Sequence, residues 1–129
     1  MFDDDDQIRV YVPPGWPRTV PPPGAPGWTE AARDVLLDVA PPEYRSYQVL
    51  RRHPVVLARF TMAHVEGQLA ATRAELGGVR AALADVVDGG VVARAVDVLQ
   101  REEARIVRVR RAVGLLEEAL RGATFVPRL

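Results

Sequence analysis

The chain has 129 residues, 48% of them apolar, and its 17 basic side chains balance 17 acidic ones. That is the size of one domain with a modest core, without the basic excess expected of a nucleic-acid or membrane-surface binder. There is no Cys, which excludes disulfides, thiol nucleophiles and thiolate metal sites, and no apolar run approaches the roughly 20 residues of a membrane span.

All 17 basic residues are Arg, and Lys and Asn are absent, the usage of a G+C-rich, actinobacterial-type genome. A given Arg is therefore weak evidence of selection for guanidinium over ammonium chemistry. Asp3 to Asp6 are the opposite of a cationic signal-peptide start, so the expected location is cytoplasmic.

Residues 1–28 hold most of the proline. Ile8 to Val12 alternate like a short edge strand. Pro13-Pro14-Gly15-Trp16-Pro17 and Val20 to Trp28 then exclude helix and predict an extended, largely polyproline II segment. Trp16 and Trp28 admit two roles there. They are bait for an aromatic groove of the SH3 or WW kind, or anchors of a strap laid over the rest of the fold, which is the favoured reading.

Thr29 is the expected N-cap of a helix over about 30–39, with Ala32, Val35, Leu36 and Val39 inward. Pro41-Pro42 ends it, and Pro42 opens a short helix through Tyr44, Tyr47 and Leu50. His53-Pro54 interrupts again, because a residue before proline avoids the helical region. Pro54 then starts a long helix over about 54–86, followed by a partner over about 90–121 that stops near Gly122.

Both long helices carry one apolar seam in steps of three and four. On the first it runs Val55, Ala58, Met62, Val65, Leu69, Thr72, Leu76, Val79, Leu83 and Val86. On the second it runs Val92, Ala95, Leu99, Glu102, Ile106, Val109, Val113, Leu116 and Leu120. Letters a and d denote Met62 and Val65 and their heptad equivalents. The flanking charges match only if the helices run antiparallel: Arg59 with Glu117, Glu66 with Arg110, Arg73 with Glu103, and Glu75 with Arg105. Each exposed pair adds only a few tenths of a kcal/mol, but together they fix register. Leu76 meets Glu102 beside Gly77-Gly78, which predicts a looser layer with Glu102 swung toward solvent or an Arg. A turn as short as Val87 to Gly90 favours closure within one chain. Closure between chains, giving a homodimer, is the alternative. Phe60, Val96, Val107 and Leu115 remain off the seam, as surface for the short helices to cover.

Chemistry motifs are sparse. His53 and His64 are eleven residues apart, about 16 Å along a helix, too far to share a metal. Ser46 lacks the glycines of a nucleophile elbow, and Gly77-Gly78 and Gly89-Gly90 lack phosphate-loop spacing. Neither catalytic residues nor a cofactor are expected. Arg101, Arg105, Arg108, Arg110 and Arg111 crowd one stretch of the last helix. Two of these have acidic partners in the register above, leaving Arg101, Arg108 and Arg111 for an anionic partner. Three loose arginines bind nucleic acid weakly. Arg45, Arg51 and Arg52 form a second basic group near the open end, facing an acidic partner or the chain's own Glu117, Glu118 and Asp3 to Asp6.

Asp85 and Asp88 sit where the long helices meet. A coiled-coil finger with acidic residues at its tip resembles, in outline, the bacterial factors that enter the RNA polymerase secondary channel. That resemblance covers the hairpin only and implies a transcription regulator acting through Asp85 and Asp88. The zinc-binding cysteines and the β domain found in such factors are missing. Asp85 has a local alternative in Arg94, and Asp88 in capping the last helix.

The expected fold is all-α: an antiparallel coiled-coil hairpin at 54–121, short N-terminal helices, an extended Pro/Trp strap over 1–28 and a tail over 123–129. The expected role is a protein–protein interaction module whose partner is another protein. Candidate contact residues are Asp85, Asp88, Arg101, Arg108, Arg111, Trp16 and Trp28.

Overall fold

The structure is a computed structural model that describes residues 10–128. Its α-helices in chain order are α1 (Trp28–Val39), α2 (Gln48–Arg52), α3 (Pro54–Leu83) and α4 (Gly89–Leu120), with a 3-10 helix at Pro42–Ser46 before α2. The fold is all-helical, and its dominant packing is α3 against α4 as a helical hairpin.

The register is the one that the seam requires. Arg59 lies 3.4 Å from Glu117 and Arg73 lies 2.8 Å from Glu103. Fourteen residues forward on α3 thus match fourteen back on α4, the signature of antiparallel helices in step. Val65, Leu69 and Val79 of α3, with Val92, Ile106, Val113 and Leu116 of α4, are buried along the seam.

Two expected pairs do not form. Glu66 lies 3.8 Å from Arg59 of its own helix rather than pairing with Arg110. Arg105 turns away from Glu75 and grips Glu102 one turn back, with Nε and Nη2 each donating at 3.0 Å to one carboxylate oxygen. That two-pronged contact draws Glu102 toward an Arg, and holds its carboxyl below the usual carboxylate range. The helix stays unbroken through Gly77-Gly78.

α3 also stops earlier than the heptads imply. The N–H groups of Val86 and Val87 both donate to the Leu83 carbonyl, and Val86 sits in the turn, 72% exposed, instead of in the seam. Asp88 starts α4 by accepting a hydrogen bond from the Val91 N–H at 3.0 Å. At the far end, Gly122 N–H donates to Ala119 and Ala123 N–H to Glu118, a Schellman closure that satisfies two orphan carbonyls.

The core lies at the open end of the hairpin. Leu36, Leu50, Leu57, Val65, Val113 and Leu116 are fully buried there, and the main cluster of buried side chains reaches only to Leu69 and Ile106. α1 supplies Ala32, Leu36 and Leu37, and α2 supplies Leu50. Off the seam, Leu115 is buried in the core as expected, Val96 is buried outside that cluster, and Phe60 and Val107 are exposed. Beyond Leu69 the hairpin continues for about 20 Å, with its own seam and the adjoining Val96 buried.

Several local expectations change. α1 begins at Trp28, capped by Gly27 in the left-handed region, so Thr29 lies inside the helix and is not its N-cap. The expected short helix from Pro42 splits at Tyr47, whose extended backbone separates the 3-10 helix from α2. Residues Val10 to Val12 are not strand. Ile8, Arg9 and Asp3 to Asp6 lie outside the described residues.

The proline-rich segment is a chain of turns, not an extended rod. Trp16, Ala25 and Trp28 each donate an N–H to the carbonyl three residues back. In each turn Pro precedes Gly at the two central positions, and Gly15, Gly24 and Gly27 carry positive φ, the type II pattern. The turns fold the segment onto α4. Arg111 Nε donates to the Pro14 carbonyl at 2.6 Å. Trp16 is buried, donates its Nε1–H to the Val20 carbonyl at 2.8 Å, and meets Phe125 edge-on at 5.9 Å.

Two outcomes follow for stability. A Cβ at Gly15 would stand 2.8 Å from Arg111 Nε at a φ of +101, so Gly15→Ala should cost more than about 1 kcal/mol in urea denaturation. Thr61 Oγ1 is buried without a hydrogen-bond partner. Thr61→Val should therefore raise stability, by roughly 1–2 kcal/mol in the same assay.

Candidate protein-docking surface

The residues singled out in the sequence lie in separate places. Asp85 and Val86 are exposed in the turn at the hairpin tip, while the Asp88 carboxylate is occupied in capping α4. Arg101 and Arg108 are exposed on the outside of α4, in line with Arg94 at seven-residue intervals. None of the three forms an ion pair among the described residues. Arg111 is taken up by the Pro14 carbonyl. Trp16 belongs to the core, and Trp28 packs half-buried against it.

A different surface emerges at the start of α3. Phe60 is 49% exposed and Tyr47 52% exposed. Tyr44 lies between them, its ring 6.2 Å from Phe60 and 6.3 Å from Tyr47. Tyr44, Phe60, Ala63 and His64 line an open cavity of about 510 Å³, with Arg59 at its edge. Aromatic and Arg side chains around an apolar hollow are the composition enriched at the centre of protein interfaces.

From this hollow a smooth ridge runs up α3. With Met62 as a and Val65 as d, Phe60, Gly67, Ala74 and Ala81 occupy f, and Ala63, Ala70 and Gly77 occupy b. Every one of them is exposed, as are Ala71 and Gly78 at c. The outer face of a solvated helix ordinarily carries its charges at these positions. Here those positions carry no carboxylate or guanidinium between Phe60 and Ala81. The charges of α3 sit at e and g instead, where Arg59 and Arg73 already pair with α4.

The glycines sharpen the point. A Cβ at Gly67, Gly77 or Gly78 would meet nothing within 4 Å, and none has positive φ. Alanine fits all three within this chain. Glycine there makes α3 weaker by roughly 1 kcal/mol at each position, with no compensation inside the molecule.

This surface was missed in the sequence for two reasons. Phe60 reads as surface for the short helices to cover, and Ala and Gly carry no chemistry to attract notice. The heptad lettering holds the signal all the same, in b and f positions that are uniformly small from Ala63 to Ala81. Among the described residues no group of His, Asp and Glu is arranged to hold a metal ion, and no helix is long and apolar enough to cross a membrane.

Searched against protein-family models, curated proteins and solved structures, the chain matches none. Gly77→Ala and Gly78→Ala should each raise the unfolding free energy of the isolated protein by about 0.5–1 kcal/mol. Thermal or urea melts of the two variants measure this directly.

Proposed function

We propose that this protein is a protein–protein interaction module that accepts a partner helix along the outer face of α3. The observation that carries the reading is the continuity of two features. The exposed Tyr47 and Phe60, with the half-buried Tyr44 between them, supply anchoring aromatics, and the uncharged Ala/Gly ridge extends from them. Small residues at helical spacing let a second backbone approach closely, as they do wherever helices pack tightly. Glycine at open helix positions gains a purpose if a partner backbone lies there.

Two other surfaces compete. The tip presents Asp85 beside the exposed Val86, which suits a regulator acting through the end of the finger. The Arg94, Arg101 and Arg108 line suits an anionic partner. The α3 face is favoured because it alone joins apolar anchors to a long surface without charge.

Affinity capture of the tagged protein from its host, read by mass spectrometry, separates these readings when run on variants. A stoichiometric protein partner should be captured by the parent chain and lost with Ala74→Glu and Phe60→Ala, while Asp85→Asn keeps it. Loss with Asp85→Asn alone would move the site to the tip. Binding that falls steeply with salt and requires Arg101 and Arg108 would move it to α4.

A further inference from the structure

The cleft between α1 and α2 has a different chemistry from the docking face and does not depend on it. Arg33, Arg51 and Arg52 line one open cavity of about 440 Å³, together with Leu37 and Gln48. That volume lies within the span of about 300–1,000 Å³ typical of small-ligand pockets. No carboxylate is among the lining residues. The nearby Asp38 is held by Arg45 at 2.7 Å. Among the described residues none of the three arginines forms an ion pair.

Three arginines line the cleft and no carboxylate does, so its charge is positive and suits an anion. The remaining contacts serve that end. Arg33 Nη1 donates to the Arg51 carbonyl at 3.1 Å, covering a carbonyl at the end of α2 whose partial negative charge would oppose an anion. With the Gln48 amide oxygen turned toward Arg52, it accepts from Nη2 at 2.8 Å and from Nε at 3.3 Å, which fixes the direction of that guanidinium. Most of the donors on the three side chains remain unspent.

We infer that this cleft binds the phosphate monoester group of a small organic ligand, with Arg33, Arg51 and Arg52 as its donors. Planar guanidiniums match phosphate oxygens in pairs. The cavity is roomier than a bare ion needs, and Leu37 offers an apolar wall to the organic part. Gln48 is a positioning residue acting through Arg52.

The test is an NMR titration of the full chain with phenyl phosphate at pH 7.5, ionic strength being held with sodium chloride. Saturable shifts of the Arg33, Arg51 and Arg52 Nε–H signals are expected, with tighter binding than inorganic phosphate shows. The folded double variant Arg51→Gln, Arg52→Gln should bind at least tenfold more weakly, and it leaves the Arg33 contact to the Arg51 carbonyl in place. Gln48→Leu should weaken binding severalfold without changing the melting temperature. Equal shifts from chloride alone, undiminished affinity in the double variant, or inorganic phosphate binding as tightly as the ester would each overturn the assignment.

Discussion

Two antiparallel helices share one seam, and each is left with a further side that water or another element must cover. This constraint organises the molecule. At the open end α1 lies against α3, Leu50 of α2 plugs the corner, and the Trp16 segment closes over α4. Short elements of this kind are unstable alone. They hold because the hairpin offers Leu57, Thr61, Leu115 and Ala119 outside the seam. Past Leu69 and Ile106 no such cover exists, and α3 and α4 continue as a bare pair.

The most buried of the ion-paired carboxylates falls where the elements converge. Glu117 is buried, and its Oε2 accepts from Arg59 across the hairpin at 3.4 Å and from Arg121 on its own helix at 2.9 Å. A buried carboxylate is costly unless it is both paired and hydrogen-bonded, and here both arginines keep their outer surfaces wet. The contact ties the start of α3 to the end of α4, the two places farthest from the turn, where fraying would otherwise begin. Arg73 with Glu103 repeats the tie midway at 2.8 Å. Both are exposed on the Arg side, so their worth lies more in register than in stability.

What was legible in the sequence was whatever depends on periodicity. The seam, the antiparallel sense and two of the four cross-helix pairs follow from residue spacing alone. The other two pairs fail because a closer partner wins: Arg105 reaches Glu102 one turn back on the same helix, and Arg59 serves Glu66 as well as Glu117. Proline content alone implies an extended segment, but Pro followed by Gly encodes a turn. Pro14-Gly15, Pro23-Gly24 and Pro26-Gly27 each encode a turn, and three turns shorten a rod into a folded strap. The same dipeptide explains why α1 starts at Trp28 in place of the Thr29 cap. The α3 face and the α1–α2 cleft eluded the sequence differently. The first is defined by what its positions lack, and the second gathers residues from two elements whose approach no spacing rule contains.

The distribution of helix-weakening residues bears on the bare half of the hairpin. Gly77 and Gly78 lie beyond Leu69, where α3 has support from α4 alone. Local opening concentrates where buried contacts are few and backbone hydrogen bonds face water, so this stretch has less protection than the proximal half of α3. At the open end the same helix is steadied by α1 on its second side. A helix docked on the Ala/Gly ridge would do for the distal half what α1 does for the proximal half. It would bury the side that the hairpin cannot cover, and would turn the glycines from a local weakness into the points of closest approach. On that reading the two halves of α3 solve one problem in two ways, with a helix of its own chain at one end and a helix of another at the other.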